Sequence, residues 1–359
     1  MTATPDLATK FRDFVKLEGR AYSSLYERLS LIIADDPRLL AILGHAPAHQ
    51  RQPTLLYAAL HDLVLSHPQE ALARWYPTVT QGPVPDEDPG PALREFCAKH
   101  EGELQRMVAT RSTQTNEVGR CIALVLAFDL IATEVPKPLG LVELGASAGL
   151  NLLFDRYHYD YEHIRTLGDE TSLVRLRTSF RGAKRPWMPA ALPAAGRRIG
   201  VDLEPIDVRD GAATQWLQAC VFGDQLERQQ RLRAALDLAR SAPPDLRRGD
   251  FIALLPAAAA DIPPDQHLCL VTAWAVHYLT ADQRRTLDRV VEGIGQSRDL
   301  SWVAAEPMGV MSQVNEPPPN PQHHLPTLLS LTTIRNGVRE GRVLARMHSH
   351  AAWIEWLDV

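Results

Sequence analysis

Residues 141–153 constrain this chain more than any other stretch. Leu141-Val142-Glu143-Leu144 is an apolar run broken only by a carboxylate near its end. Gly145-Ala146-Ser147-Ala148-Gly149 follows with nothing larger than a serine, and Leu150-Asn151-Leu152-Leu153 resumes an apolar, helix-like pattern. A strand covered on both faces reads as a continuous apolar run, and small residues after it mark a tight turn. The predicted local structure is a buried parallel strand that hands over to a helix through a turn whose backbone can come close to a ligand.

Length and composition bound what surrounds this stretch. At 359 residues the chain holds one large domain or two ordinary ones, each able to bury a core. With 45% hydrophobic and 23% charged residues and a net charge of −5, it has the composition of a soluble globular protein and lacks the basic footprint of a nucleic-acid binder. The longest apolar run, residues 121–128, is too short to span a bilayer and runs into Asp129, so no membrane partner is expected. The opening residues carry no basic and apolar regions of a signal peptide. Cys97, Cys121, Cys220 and Cys269 are widely spaced with no C-x-x-C, which indicates neither a zinc site nor a disulfide framework. The expectation is a reduced, cytoplasmic protein.

Residues 1 to about 135 read as helices. Phe11, Phe14, Val15, Tyr22, Leu25, Leu29, Ile32 and Ile33 keep helical spacing until Asp35-Asp36-Pro37 stops it. Residues 54–66 and 92–111 predict further helices, with a Pro/Gly/Asp-rich loop at 78–91. Residues 111–120 are almost without apolar content and lead at once into the buried-looking helix 121–132. After residue 140, strands alternate with helices, which favours a parallel sheet with crossover helices. Residues 173–180 alternate like a strand, and 181–198 form a Pro/Gly/Arg-rich excursion. Ile199-Gly200-Val201-Asp202-Leu203 is a short apolar run closing on a carboxylate. Residues 213–239 predict a helix, 267–272 a strand, 281–293 a helix and 300–305 a strand. The chain ends in two runs, 328–335 and 342–352, joined across Asn336-Gly337 by a loop longer than a minimal hairpin.

Three readings compete for the opening stretch. A dinucleotide fingerprint needs G-x-G-x-x-G, and Ser147 and Leu150 stand where its second and third glycines belong. A nucleophile elbow needs G-x-S-x-G, which Gly145 to Gly149 satisfies and which would make Ser147 the nucleophile of a serine hydrolase. The third looks like the nucleotide-binding turn of class I S-adenosylmethionine (SAM) methyltransferases, roughly E-x-G-x-G-x-G, with Ser147 in the central glycine's place. A doubly wound sheet binds ligands beyond the carboxyl ends of its strands. The methyltransferase reading therefore needs polar residues at successive strand ends. The chain supplies Glu143, Gly145 and Gly149, then Asp202, then Asp250-Phe251, then Trp274 and His277. Residues 249–291 look like the third-to-fourth strand region of that class. The excursion makes the step to Asp202 long, and Asp207 is its substitute. The elbow needs an oxyanion-hole donor from an earlier strand-loop, and the region before residue 141 reads as helical.

Residues 111–120, residues 141–157, residues 199–208 and the ending His348-Ser349-His350-Ala351-Ala352-Trp353-Ile354-Glu355-Trp356 stand out together. In these stretches the chain resembles an uncharacterised bacterial domain-of-unknown-function family, number twenty-three thirty-two. Ala351 stands where the family's closing motif has glycine. The resemblance covers nearly the whole chain and implies an α/β fold, a Rossmann-like class I methyltransferase sheet behind a helical N-terminal region. The domains expected are a helical cap over residues 1–118 and a SAM-binding domain over 119–359.

The candidate site residues follow. Glu143, Gly145, Ala146, Ser147, Gly149, Asn151, Asp202, Asp250 and Phe251 are the cofactor-binding set, with SAM as the cofactor. Arg111, Gln114, Asn116, Glu117 and Arg120 are candidates for holding a cofactor or substrate carboxylate, the arginines through bidentate contacts; the competing reading is a solvated helix start. His277, whose ordinary pKa of about 6.5 is near working pH, is the candidate general base. Trp274 or Tyr278 is the aromatic shield for a sulfonium cation. For these three the competing reading is plain packing. His348 and His350, read as alternating on a strand, would share a face, but no second ligand pair at diagnostic spacing supports a metal. His323-His324 reads as a solvated or lid segment. The function expected is methyl transfer to a small-molecule acceptor; the alternatives are a non-catalytic SAM or nucleoside-binding protein of the same fold, or a serine hydrolase.

Overall fold

The computed structural model describes residues 4–16, 22–162, 164–311, 314, 316 and 326–357. The chain forms two compact units, Met1–Thr115 with Arg209–Arg233, and Asn116–Val208 with Ala234–Val359. His323 and His324 lie outside the described residues.

The first unit is helical. Thr4–Phe14, Ser24–Ala34, Pro37–Gly44, Pro53–Ser66, Gly90–Lys99, Glu101–Thr110 and Gly211–Ala219 are its main helices. Asp36 ends one helix and starts the next: its carboxylate accepts from the N–H groups of Arg38 and Leu39, and Pro37 takes the first turn, where no N–H is needed. The core gathers Phe11, Leu25, Tyr26, Leu29, Leu60 and Trp216. Residues 209–233 thus join this unit, although their pattern places them with the sheet. The helix predicted over 213–239 is two helices, Gly211–Ala219 and Leu226–Ser241, separated by a break in which Val221 and Gln225 close turns.

His61 is the buried polar anchor of the helical unit. It is fully buried; Nδ1 faces the carbonyls of Ala219 at 3.1 Å and Val221 at 2.9 Å, and Nε2 faces the Thr78 hydroxyl at 2.8 Å. Burial pushes its pKa down from 6.5 to about 4. The unfolded chain therefore binds a proton that the folded unit refuses, so this stability is complete above about pH 6.5 and is lost as pH falls through 4. The loss is about 3 kcal/mol. Urea unfolding between pH 7 and 4 is expected to be flatter for His61→Gln than for the parent; equal slopes would show that His61 does not carry the effect.

The second unit is built on a sheet of eleven strands among the described residues. They are β1 Leu139–Leu144, β2 His158–Tyr161, β3 Arg165–Gly168, β4 Arg175–Arg181, β5 Ala195–Asp202, β6 Asp245–Arg248, β7 His267–Ala273, β8 Leu300–Pro307, β9 Thr327–Arg335, β10 Val338–Met347 and β11 Trp353–Trp356. Their order is β3-β2-β4-β11-β10-β9-β8-β7-β1-β5-β6. The block β6-β5-β1-β7-β8 is parallel throughout, β9 and β10 form an antiparallel hairpin, and parallel pairs outnumber antiparallel ones across the sheet. The fold is mixed α/β with a large, mostly parallel sheet.

β1 is buried along its whole length. Val142 and Leu144 share a core with Phe251, Leu255, Leu287 and Val291, so strand alternation turns Leu141 and Glu143 to the opposite face. There the helix Cys121–Glu134 packs against β4, β8 and β9, buried on almost every side. After β1 the chain forms β2, β3 and β4 at the far end of the sheet, then β5 and β6 on one side of β1 and β7 and β8 on the other. Strand order reverses at β1, the position where open α/β sheets place their ligands.

Three sequence expectations change. Residues 150–156 form a 3₁₀ turn and not an α-helix, with Leu153 at non-helical φ −97° and ψ 19°. The Tyr157 and Tyr159 hydroxyls take the carbonyls of Leu150 and Phe154, and so settle backbone acceptors there without a longer helix. Asn336-Gly337 is a minimal two-residue hairpin, with φ of 50° and 77° and Arg335 paired to Val338. β10 therefore starts well before residue 342. His348 and His350 do not alternate on a strand: β10 ends at Met347, and they lie in the turn that follows. Ala351 adopts φ 55° there, so the conformation suited to glycine is kept without it. All four cysteines are free thiols. Among the described residues no helix is long and apolar enough to cross a membrane.

Candidate functional site

The carboxyl ends of β1, β5, β7 and β8 each present polar groups. Glu143, the penultimate residue of β1, is 1% exposed. Its Oε1 accepts from Asn151 Nδ2 at 2.7 Å, and its Oε2 is buried with no hydrogen-bond partner among the described residues. Burial pushes its pKa up from 4.5 to about 8; the Asn151 bond works against this, Asp202 adds to it, and Arg120 opposes it. The carboxyl is therefore largely protonated at neutral pH, and an approaching cation would favour its ionised form.

The turn after β1 is held shut by backbone bonds. Gly145 and Ala146 donate to the Val201 carbonyl at 2.8 and 3.2 Å, and Gly149 donates to that of Ala146 at 2.7 Å. Gly145 at φ 75° could not carry a side chain, since a Cβ there would lie 2.5 Å from that of Ala275. Gly149 at φ 68° is confined in the same way by Pro244 and Leu246. Ser147 takes φ 52° without being glycine; its N–H donates to Asp202 Oδ2 at 2.8 Å, and its Oγ is buried without a partner among the described residues. Asp202, at the end of β5, also accepts from the Glu204 N–H at 2.9 Å, so its two oxygens bind two loops into one rim.

Asn116 Oδ1 accepts from the Leu150 N–H at 3.0 Å, and Glu117 accepts from the Gly119 N–H at 3.0 Å. Arg120 is 3% exposed, donates to the carbonyls of Ser349 and Ala273 at 2.8 and 3.0 Å, and lies 5.5 Å over the Trp274 ring. Asn116 thus pins the turn and Arg120 the strand ends, while Glu117 caps its own segment. Arg111 and Gln114 belong to the helical unit, where Arg111 lies 4.7 Å over Trp216. Asp250 caps the helix Phe251–Ala260 through Ile252 N–H at 2.8 Å and is exposed, while Phe251 packs in the core. Asp207 is exposed.

Beyond β7, Trp274 takes φ 61° and donates from Nε1 to Thr327 Oγ1 at 2.9 Å. Ser147 and Trp274, two non-glycine residues in the left-handed region, thus follow neighbouring strands. Backbone held in this region is strained and clusters at functional sites. His277 packs edge-on against Trp274 at 5.1 Å and against Tyr278 at 3.8 Å. Its Nδ1 is 3.8 Å from Glu306 Oε2, beyond hydrogen-bond length, and neither atom has a hydrogen-bond partner among the described residues.

Glu306 is the residue that sequence reading missed. It is fully buried in β8, and its Oε1 accepts from the N–H groups of Ala275 and Val276 at 2.9 and 3.1 Å, which fixes the loop carrying Trp274 and His277. Its signal was available: Trp302-Val303-Ala304-Ala305-Glu306 is another apolar run closing on a carboxylate, as at Glu143 and Asp202.

A family model matches residues 8–356. The chain belongs to the family described as "Uncharacterized protein conserved in bacteria (DUF2332)". No curated protein and no solved structure matches it. In this DUF2332 chain His348 and His350 bring their rings to 5.3 Å, but the His350 N–H donates to His348 Nδ1 at 3.2 Å, which occupies that lone pair.

Proposed function

We propose that the α/β unit binds SAM beyond the carboxyl ends of β5, β1 and β7 and transfers its methyl group to a small acceptor. The observation that carries this reading is the pair of carboxylates Glu143 and Asp202 at the ends of adjacent parallel strands, across a turn too tight for a side chain at Gly145. The order β6-β5-β1-β7-β8 supports a Rossmann-like reading of the sheet, since it runs as the first five strands of a doubly wound fold do.

The residues suit the cofactor. Asp202 has lone pairs left beyond its two backbone bonds and would accept from the ribose hydroxyls. The unpartnered Oε2 of Glu143 would face the ammonium group, which favours its ionised form. Asp250 would accept from the adenine amino group. SAM, when bound, supplies an electrophilic methyl on a sulfonium. Trp274, which already has Arg120 over its ring, or Tyr278, 76% exposed, would lend an aromatic face to that cation. His277 takes the proton from an oxygen or nitrogen nucleophile, with Glu306 Oε2 3.8 Å behind its Nδ1.

Calorimetry with SAM and with its demethylated product is expected to give heat for both, and a panel of small nucleophiles to identify turnover. His277→Ala is expected to lower kcat about 100-fold while SAM affinity stays within about threefold. No heat with either ligand ends the proposal, and binding without turnover across the panel makes the protein a sensor of the same ligand. The hydrolase reading draws on the strained φ of Ser147. Against it, no base bonds Ser147 Oγ among the described residues, so a fluorophosphonate probe is expected to leave Ser147 unlabelled.

A further inference from the structure

The helical unit carries a second cluster of chemistry-bearing groups, independent of the SAM reading. His67 caps the carboxyl end of the helix Pro53–Ser66, and His100 links the helices Gly90–Lys99 and Glu101–Thr110. Each is followed three residues later by a glutamate, Glu70 and Glu103. One ligand-capable atom from each of His67, His100 and Glu103 lies within 4.8 Å of the others. The two imidazole rings are 4.6 Å apart and tilted by 33°. The geometry points to a divalent transition-metal site of the zinc class, with His67, His100 and Glu103 as ligands and Glu70 as the supporting carboxylate.

Glu70 gives the arrangement its direction. Its Oε1 lies 3.0 Å from His100 Nε2 and 3.8 Å from His67 Nδ1. A carboxylate on one nitrogen of an imidazole fixes the proton there, leaves the other nitrogen as a lone-pair donor and raises its basicity. For His100 that donor is Nδ1, and His100 is held still by burial (7% exposed) and by the Phe96 ring at 4.6 Å. Lys99 Nζ also reaches Glu70 Oε1, at 2.8 Å. Glu70 is thus already engaged, which suits an outer partner better than a ligand.

A shared cation puts the lone pairs of both rings to use. The donor set also selects the ion. Calcium and magnesium prefer all-oxygen shells, while two imidazoles with a carboxylate suit zinc, iron, cobalt or nickel. Three protein ligands leave one tetrahedral position for water.

The test uses the full chain after treatment with a chelator. Zn²⁺ titrated by calorimetry is expected to bind with one ion per chain, and Co²⁺ in its place to show the visible bands of nitrogen–oxygen coordination. His67→Gln and Glu103→Gln are each expected to weaken Zn²⁺ binding at least tenfold, and Glu70→Gln by about 10- to 100-fold, the usual loss for an outer partner. His348→Gln, in the other histidine pair, should bind as the parent does. The His67 side chain is 39% exposed, so its replacement leaves the core intact, and far-UV circular dichroism verifies this. Absence of Zn²⁺ binding by the parent, parental affinity in His67→Gln, or a loss that falls on His348→Gln would each overturn the assignment.

Discussion

Asp202→Asn is expected to weaken SAM binding about 100-fold, equivalent to about 3 kcal/mol. The carboxylate would give the ribose hydroxyls charge-assisted acceptors, which are roughly twice as strong as neutral ones. It already accepts from Ser147 N–H through Oδ2 and from Glu204 N–H through Oδ1. An asparagine has one acceptor, so one of these amides would face an NH₂ group. The rim should therefore also loosen, at a cost of about 1–3 kcal/mol for an unsatisfied donor. Calorimetry below the melting range separates the two effects. Asp207→Asn, at the exposed position read as a substitute, should leave affinity unchanged. If Asp202→Asn binds SAM within about twofold of the parent, or Asp207→Asn takes the loss instead, the ribose assignment fails.

Glu143→Gln is expected to remove the loss of stability around β1 that accompanies rising pH. The folded pKa of Glu143 lies at about 8, above its ordinary 4.5, so the folded chain holds a proton that the unfolded chain releases. Stability from this group is whole below about pH 4.5, declines as pH rises towards 8, and is flat above it. The span is on the order of 5 kcal/mol. Glutamine keeps an acceptor for Asn151 Nδ2 and cannot ionise. Its stability relative to the parent should therefore climb from about pH 5 to pH 8 and level off above that in urea titrations. Parallel profiles would mean that Glu143 ionises freely in the folded protein. The same proton links to the ligand: a bound cation lowers this pKa, so SAM should bind more tightly as pH rises from 6 to 8.

The parts legible in the sequence were those where one residue pattern had one physical meaning. β1 reads as a buried strand because its apolar run is short and gives way at once to a run of small residues that mark a turn. Asp202 is found by the same logic. The helix expected after Gly149 was not, because the tyrosines that bond its carbonyls lie beyond it and their contacts are tertiary. β2 was missed for a related reason: His158-Tyr159-Asp160-Tyr161 is polar in composition yet buried throughout, its tyrosine hydroxyls satisfied by the carbonyls of Phe154 and Ile122. Glu306 was within reach, since it repeats the pattern of strand and terminal carboxylate. The neighbourhood of His67 and His100 was not, because two H-x-x-E spacings with the helix Gly90–Lys99 between them gain meaning only when the fold brings them together.

The division of residues between the two units has a consequence for synthesis and for truncation. Trp216 sits in the core of the helical unit with residues from the first hundred positions, although 93 residues of the sheet unit, 116–208, separate that second segment from Thr115. A nascent chain cannot finish the helical core until position 233 has left the ribosome, by which time β1 to β5 are already made. A fragment starting at Asn116 would carry an orphaned apolar helix, so a soluble sheet unit requires excision of residues 209–233 as well.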